Sequence, residues 1–108
     1  MEKKMNAEKN PFELFKEEAP EVFAAFNGLV QSLINTKGMD QKTKQLVYIA
    51  LKAATGDTTA VKFHVPMAKQ AGATRAEVVD SLLMTLNVTG LKGVTSCLGM
   101  ALDMYDNA

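Results

Sequence analysis

The chain holds one histidine, His64, and one cysteine, Cys97. Imidazole exchanges protons near neutral pH, its unperturbed pKa being about 6.5, so His64 is the natural candidate for proton transfer. On a helix, Asp57, Ala60, Val61, His64, Met67, Ala68 and Ala71 share a face through spacings of three, four and seven. His64 therefore points with small and apolar neighbours toward a packed or pocketed interior. Two readings fit it: a core or interface histidine bonded to a backbone carbonyl, or a proton carrier lining a pocket. Asp57 lies two turns earlier, about 10 Å along the axis, too far for direct bonding on a regular helix. It reads as an N-cap, a task Thr58 and Thr59 can share. Lys62 is turned about 200° away from His64 and faces elsewhere. Lys44 and Lys52 flank the preceding helix as solvated cations, candidates to meet an anionic substrate. Cys97 shares helical spacing with Val94, Leu98 and Ala101. That is the setting of a buried, inert thiol, since reactivity needs exposure and a lowered pKa.

The elements that must position these groups are helical throughout. Residues 1–9 are charged, without apolar periodicity, and read as a loose or lightly docked arm ahead of a domain over 10–108. Pro11 suits the opening turn of a short first helix, where no amide donor is needed. Pro20 starts a second, in which Val22, Phe23, Phe26, Leu29, Val30 and Leu33 form an apolar stripe. The cluster Asn35 to Gly38 stops it. Asp40 caps a third helix over about Gln41–Ala54, whose apolar residues wrap much of its circumference, so it should be central; Gly56 ends it. A fourth helix over about Thr58–Gln70 is expected to break or kink at Pro66, where the bond to the Lys62 carbonyl is lost. Gly72 ends it, and Thr74 with Glu77 spells a capping box. The fifth helix is expected to hold Val78, Val79, Leu82, Leu83, Leu86 and Val88, and Thr89-Gly90 to loosen it before a last helix from Lys92 to Tyr105. Met67, Met84, Met100 and Met104 suit adaptable core or subunit packing. No strand pair is expected; the fold class is all-α.

With 108 residues this is one domain, able to bury about two thirds of its unfolded surface. Formal net charge is zero, and no basic cluster stands apart from acidic residues, which disfavours nucleic acid as a partner. One cysteine and one histidine supply neither a disulfide nor a histidine-cysteine metal cage. No apolar run approaches the roughly 20 residues of a membrane span, and the polar N-terminus is no signal peptide. A cytoplasmic protein is expected.

The segment around His64, the helix from Gln45 to Ala54 and the junction Ala71-Gly72-Ala73-Thr74 followed by Glu77 together resemble the carboxymuconolactone decarboxylase-like family, which includes the alkylhydroperoxidase D type enzymes. The likeness runs from about Asp40 to the C-terminus and is strongest from Lys44 to Leu83. In the thiol-active branch this frame carries Glu, Cys-x-x-Cys and His. The glutamate falls on Gln45, and the cysteines fall on Asp57 and Ala60. The resemblance implies an alkylhydroperoxidase D-like bundle of about six helices that assembles as a homotrimer or homohexamer, with sites near subunit contacts and no cofactor. It implies a non-redox decarboxylase of an unsaturated lactone carboxylate, with His64 as general acid and Gln45 or Tyr48 as polar donors to the developing oxyanion. Gln45 can orient His64 or a substrate carbonyl but cannot ionise. Tyr48, one turn later on the same face, offers a phenolic donor, or packs in the core or an interface with its hydroxyl at the edge. Two alternatives stand beside this one. The chain is a non-catalytic oligomer that binds a small organic acid or serves assembly, or it has alkylhydroperoxidase-type thiol activity, which the missing cysteine pair disfavours.

Overall fold

The computed structural model describes residues 5–108, and no strand occurs among the described residues. A 3-10 turn at Asn6–Glu8 precedes α1 (Pro11–Glu18), α2 (Pro20–Asn35), α3 (Gln41–Thr55), α4 (Thr58–Gln70), α5 (Arg75–Leu83), the short α6 (Leu86–Thr89) and α7 (Lys92–Asp106). Six of these helices have eight residues or more, as the all-α expectation requires. Residues 1–4 of the expected arm lie outside the described residues.

The described chain divides into two compact units, one ending at Thr36 and the other spanning Lys37–Ala108. In the first, the Asn10 side chain caps α1 by accepting from the Phe12 and Glu13 amides at 3.0 and 3.3 Å. Pro11 and Pro20 occupy opening turns, where their missing donors cost nothing. Phe15 of α1 meets Phe23 of α2 edge-on at 5.3 Å, with Phe26 at 6.1 Å. The apolar stripe of α2 otherwise faces outward, with Val22, Phe26, Leu29 and Leu33 all exposed.

In the second unit α3 is central and packs on α4, α5 and α7. The core joins Ile49 and Ala53 of α3, Val61, Val65 and Ala68 of α4, Val78 and Leu82 of α5, and Cys97 and Ala101 of α7. Burying each Val, Leu or Ile side chain stabilises the unit by about 1.5–3 kcal/mol, so this cluster holds the helices together. Local chemistry sets the helix ends. The Asp40 carboxylate accepts from the Thr43 amide at 2.8 Å. Gly56 adopts φ 79°, which only glycine reaches without strain, and the Asp57 amide then donates to the Lys52 carbonyl at 3.0 Å. Gly72 ends α4 the same way, and Thr74 and Glu77 form the expected reciprocal box.

Two expectations are corrected. The break at Pro66 does not occur, since α4 continues from Thr58 to Gln70 across it; proline removes a single ladder bond, to the exposed Lys62, while Val65 and Ala68 beside it are fully buried. Helix α5 stops at Leu83 and does not reach Val88. The Thr85 hydroxyl donates to the Leu82 carbonyl at 2.6 Å and the Thr85 amide to the same carbonyl at 3.1 Å. This tightens the turn and leaves Leu83, Leu86 and Val88 exposed.

Candidate functional site

The two-residue turn at Gly56 and Asp57 folds α4 back along α3. Gln45, Tyr48 and Lys52 stand three, four and seven apart on α3 and so share one face, while Ile49 and Ala53 turn into the core. That face meets His64. Its Nδ1 lies 2.8 Å from Gln45 Oε1 across 19 residues of sequence. An amide oxygen only accepts, so Nδ1 carries the hydrogen and Nε2 is the atom left for proton exchange. The Tyr48 ring covers one side of the imidazole, with centroids 4.0 Å apart and planes tilted by 33°. All three predicted site residues are therefore brought together, half-buried. His64 bonds a side-chain amide, whereas the bland reading placed it on a backbone carbonyl.

Burial, and then the positive charge of Lys52, hold the His64 pKa below the usual 6.5. At neutral pH the ring is mostly uncharged. Lys52 places its ammonium 5.7 Å from the Tyr48 ring centroid and 3.6 Å from Asp57 Oδ2. Asp57 uses its other oxygen to cap α4, accepting from the Ala60 amide at 3.0 Å, as its position predicted. On the α4 side the rim is apolar, since Phe63 and Met67 are 63% and 45% exposed and bracket His64 along the helix. The site is thus a half-buried polar cluster (the dish) with one proton-exchanging nitrogen, a phenol and a nearby cation. Lys52, expected to be a solvated cation and, with Lys44, a candidate to meet an anionic substrate, is the one of the two on this face; its i, i+7 relation to Gln45 was the signal in the sequence.

Other features lie apart from this dish. Cys97 is fully buried, with its Sγ 3.5 Å from Ser96 Oγ, the surroundings expected for an inert thiol. An open apolar groove of about 270 Å³ is lined mainly by Leu46, Val47, Ala50, Leu51 and Met84, and none of Gln45, Tyr48 or His64 lines it. The polar dish is the better candidate for chemistry, because the groove offers no group that exchanges protons or carries charge. Among the described residues, no three His, Cys, Asp or Glu side chains cluster to hold a metal ion, and no helix is long and apolar enough to cross a membrane.

Comparison with known proteins agrees with this architecture. An uncharacterized protein from Methanocaldococcus jannaschii is 34% identical over 68 residues, which are 63% of this chain and 64% of that protein, so the chain spans less than two thirds of that relative's length. The crystal structure of an apo carboxymuconolactone decarboxylase family protein from Legionella pneumophila superposes with a TM-score of 0.76 at 28% identity, covering 86% of this chain and 82% of the other. The model of the carboxymuconolactone decarboxylase family matches residues 20–103, from the first turn of α2 nearly to the end of α7. The chain belongs to the carboxymuconolactone decarboxylase family.

Proposed function

We propose that the His64 dish carries out non-redox proton transfer on a small unsaturated lactone carboxylate, in the manner of a carboxy-lyase. The observation that carries this reading is the fixed imidazole: Gln45 takes Nδ1 at 2.8 Å and leaves Nε2 for the substrate. In the reaction the bond from the γ-carbon to its carboxylate breaks and carbon dioxide leaves. The electron pair moves through the conjugated double bond onto the lactone carbonyl oxygen. Protonation of the resulting dienolate at carbon, by the Nε2–H of imidazolium His64 after the ring has taken a second proton from solvent, completes the step. The Tyr48 hydroxyl, on this same face, can donate to the developing oxyanion. Gln45 acts through His64. The buried Cys97 and the absence of a cysteine at Asp57 and Ala60 argue against thiol chemistry.

The chain works as a homo-oligomer in this reading, a homotrimer or homohexamer, with a second copy covering the apolar rim. Support comes from Phe63, Met67 and the α2 stripe, large apolar side chains left in water by a single chain. Light scattering after gel filtration checks this. The activity is tested by following carbon dioxide release from a γ-carboxylated butenolide with wild type and His64→Gln. Turnover that falls at least about a hundredfold in the variant supports the reading; equal turnover removes His64 from it. A second reading, a small-acid-binding protein without chemistry, draws support from Gln45, which cannot ionise where a relay carboxylate would have to. Binding of the lactone without carbon dioxide release selects it.

A further inference from the structure

We propose that Lys52 is the positioning residue that receives the carboxylate of an anionic ligand in the His64 dish, exchanging its long contact with Asp57 for a direct ion pair. This rests on the reading of the dish as a ligand site, and it assigns the charge-reading element that the reading lacks.

The geometry of Lys52 differs from that of the other two cations given acidic partners. Lys42 meets Glu77 at 3.0 Å and Arg75 meets Asp106 at 2.8 Å, both within hydrogen-bonding distance. Lys52 Nζ stays 3.6 Å from Asp57 Oδ2, beyond a good charge-assisted bond. Asp57 is already engaged through Oδ1, which fixes the start of α4 and limits how far its carboxylate can turn toward Lys52. The ammonium is therefore held near the site by attraction, partly exposed and with room to turn toward another carboxylate. It lies 5.7 Å from the centroid of the same Tyr48 ring that stacks on His64, so Lys52 and His64 both neighbour Tyr48.

An ammonium in this position also sets the protonation of the imidazole. The charged and titratable groups that touch or act on His64 are Tyr48 and Lys52 from α3, and Asp57 at the start of α4 in turn faces Lys52. With the dish empty, Lys52 opposes a second positive charge on His64. A bound carboxylate neutralises that opposition and adds its own negative charge, so His64 takes up a proton as the ligand arrives. Ligand binding then arms the general acid, and an empty site stays neutral.

The test uses the full chain with 2-furoate as probe and its methyl ester as the uncharged control. Binding is read by calorimetry, and the His64 Cε1–H resonance, the single histidine signal of the chain, is titrated with pH. Wild type is expected to bind the acid in preference to the ester, with proton uptake and an upward move of the His64 midpoint on binding. Lys52→Met is expected to weaken 2-furoate about tenfold, to raise the His64 midpoint of the free protein and to abolish most of the further rise on binding. Lys52→Arg is expected to retain preference for the acid. Asp57→Asn, which keeps an oxygen for the Ala60 amide while freeing Lys52, is expected to tighten binding. Equal affinity for acid and ester in wild type, or unchanged acid affinity in Lys52→Met, overturns the assignment. Because the readout is binding and a resonance, Lys52 can fail while His64-dependent turnover persists, and the turnover reading can fail while Lys52 still selects the acid.

Discussion

Gly93 and Gly99 stand on the same helix, and replacing each with alanine should move stability in opposite directions. Alanine is favoured over glycine by about 0.8–1 kcal/mol in an exposed helix interior, where Gly99 lies, and by no more than that at Gly93 in the buried first turn. At Gly99 a new Cβ meets no atom within 4 Å, so that gain is realised. At Gly93 the Cβ falls 2.7 Å from Thr85 Oγ1, 3.0 Å from the Ala53 carbonyl oxygen and 3.2 Å from its carbon. The Thr85 hydroxyl cannot swing away cheaply, because it is buried and donates to the Leu82 carbonyl. The Ala53 atoms are backbone of the central helix. Helix α7 must retreat from α3, and overpacking of this kind costs about 1–3 kcal/mol. Set against a helix gain of up to about 1 kcal/mol, Gly93→Ala should lose up to about 2 kcal/mol net, and Gly99→Ala should gain up to about 1 kcal/mol. At about 4–8 °C per kcal/mol for a domain of this size, thermal unfolding by circular dichroism should separate the two variants by roughly 10 °C. Equal midpoints, or Gly93→Ala at or above wild type, would refute the close crossing of α3 and α7 that fixes the helix carrying Gln45, Tyr48 and Lys52.

Other outcomes follow from the site. Gln45→Glu places a carboxylate against Nδ1 and should raise the His64 midpoint by about one unit or more, read from its single Cε1–H resonance; an unmoved midpoint denies the contact. The folded-state pKa of His64 lies below the unfolded value, so the unfolded chain binds the proton first. Stability should fall as pH drops below about 6.5, level off beneath the folded pKa, and lose that component in His64→Gln; urea titrations at several pH values measure it. Native Cys97 should resist a thiol reagent and react on unfolding, and rapid labelling of the folded protein would contradict its burial.

Helix limits were legible because they are written in local chemistry. Asp40, Gly56, Gly72 and the Thr74–Glu77 box each act within a few residues of themselves, and each does what its type predicts. The break at Pro66 and the reach of the fifth helix were misread for a shared reason. Proline carries a penalty that burial of Val65 and Ala68 overrides, and a threonine hydroxyl can bend a helix that apolar spacing alone would extend. The meeting of Gln45, Tyr48 and His64 could be anticipated only through the family resemblance, since periodicity gives each helix a face but not the face it meets. Lys52 could not be told from Lys44 as a candidate cation, because a lysine on a helix reads as solvated until its distances to Tyr48 and Asp57 are known.

The most direct test of the proton-transfer account is the pH dependence of carbon dioxide release from a γ-carboxylated butenolide, measured for wild type and His64→Gln. With His64 as the acid, kcat/KM for wild type should fall as pH rises through a midpoint below about 6.5, and the variant should be slow and flat across that range. A variant with the wild-type profile and rate would contradict the account.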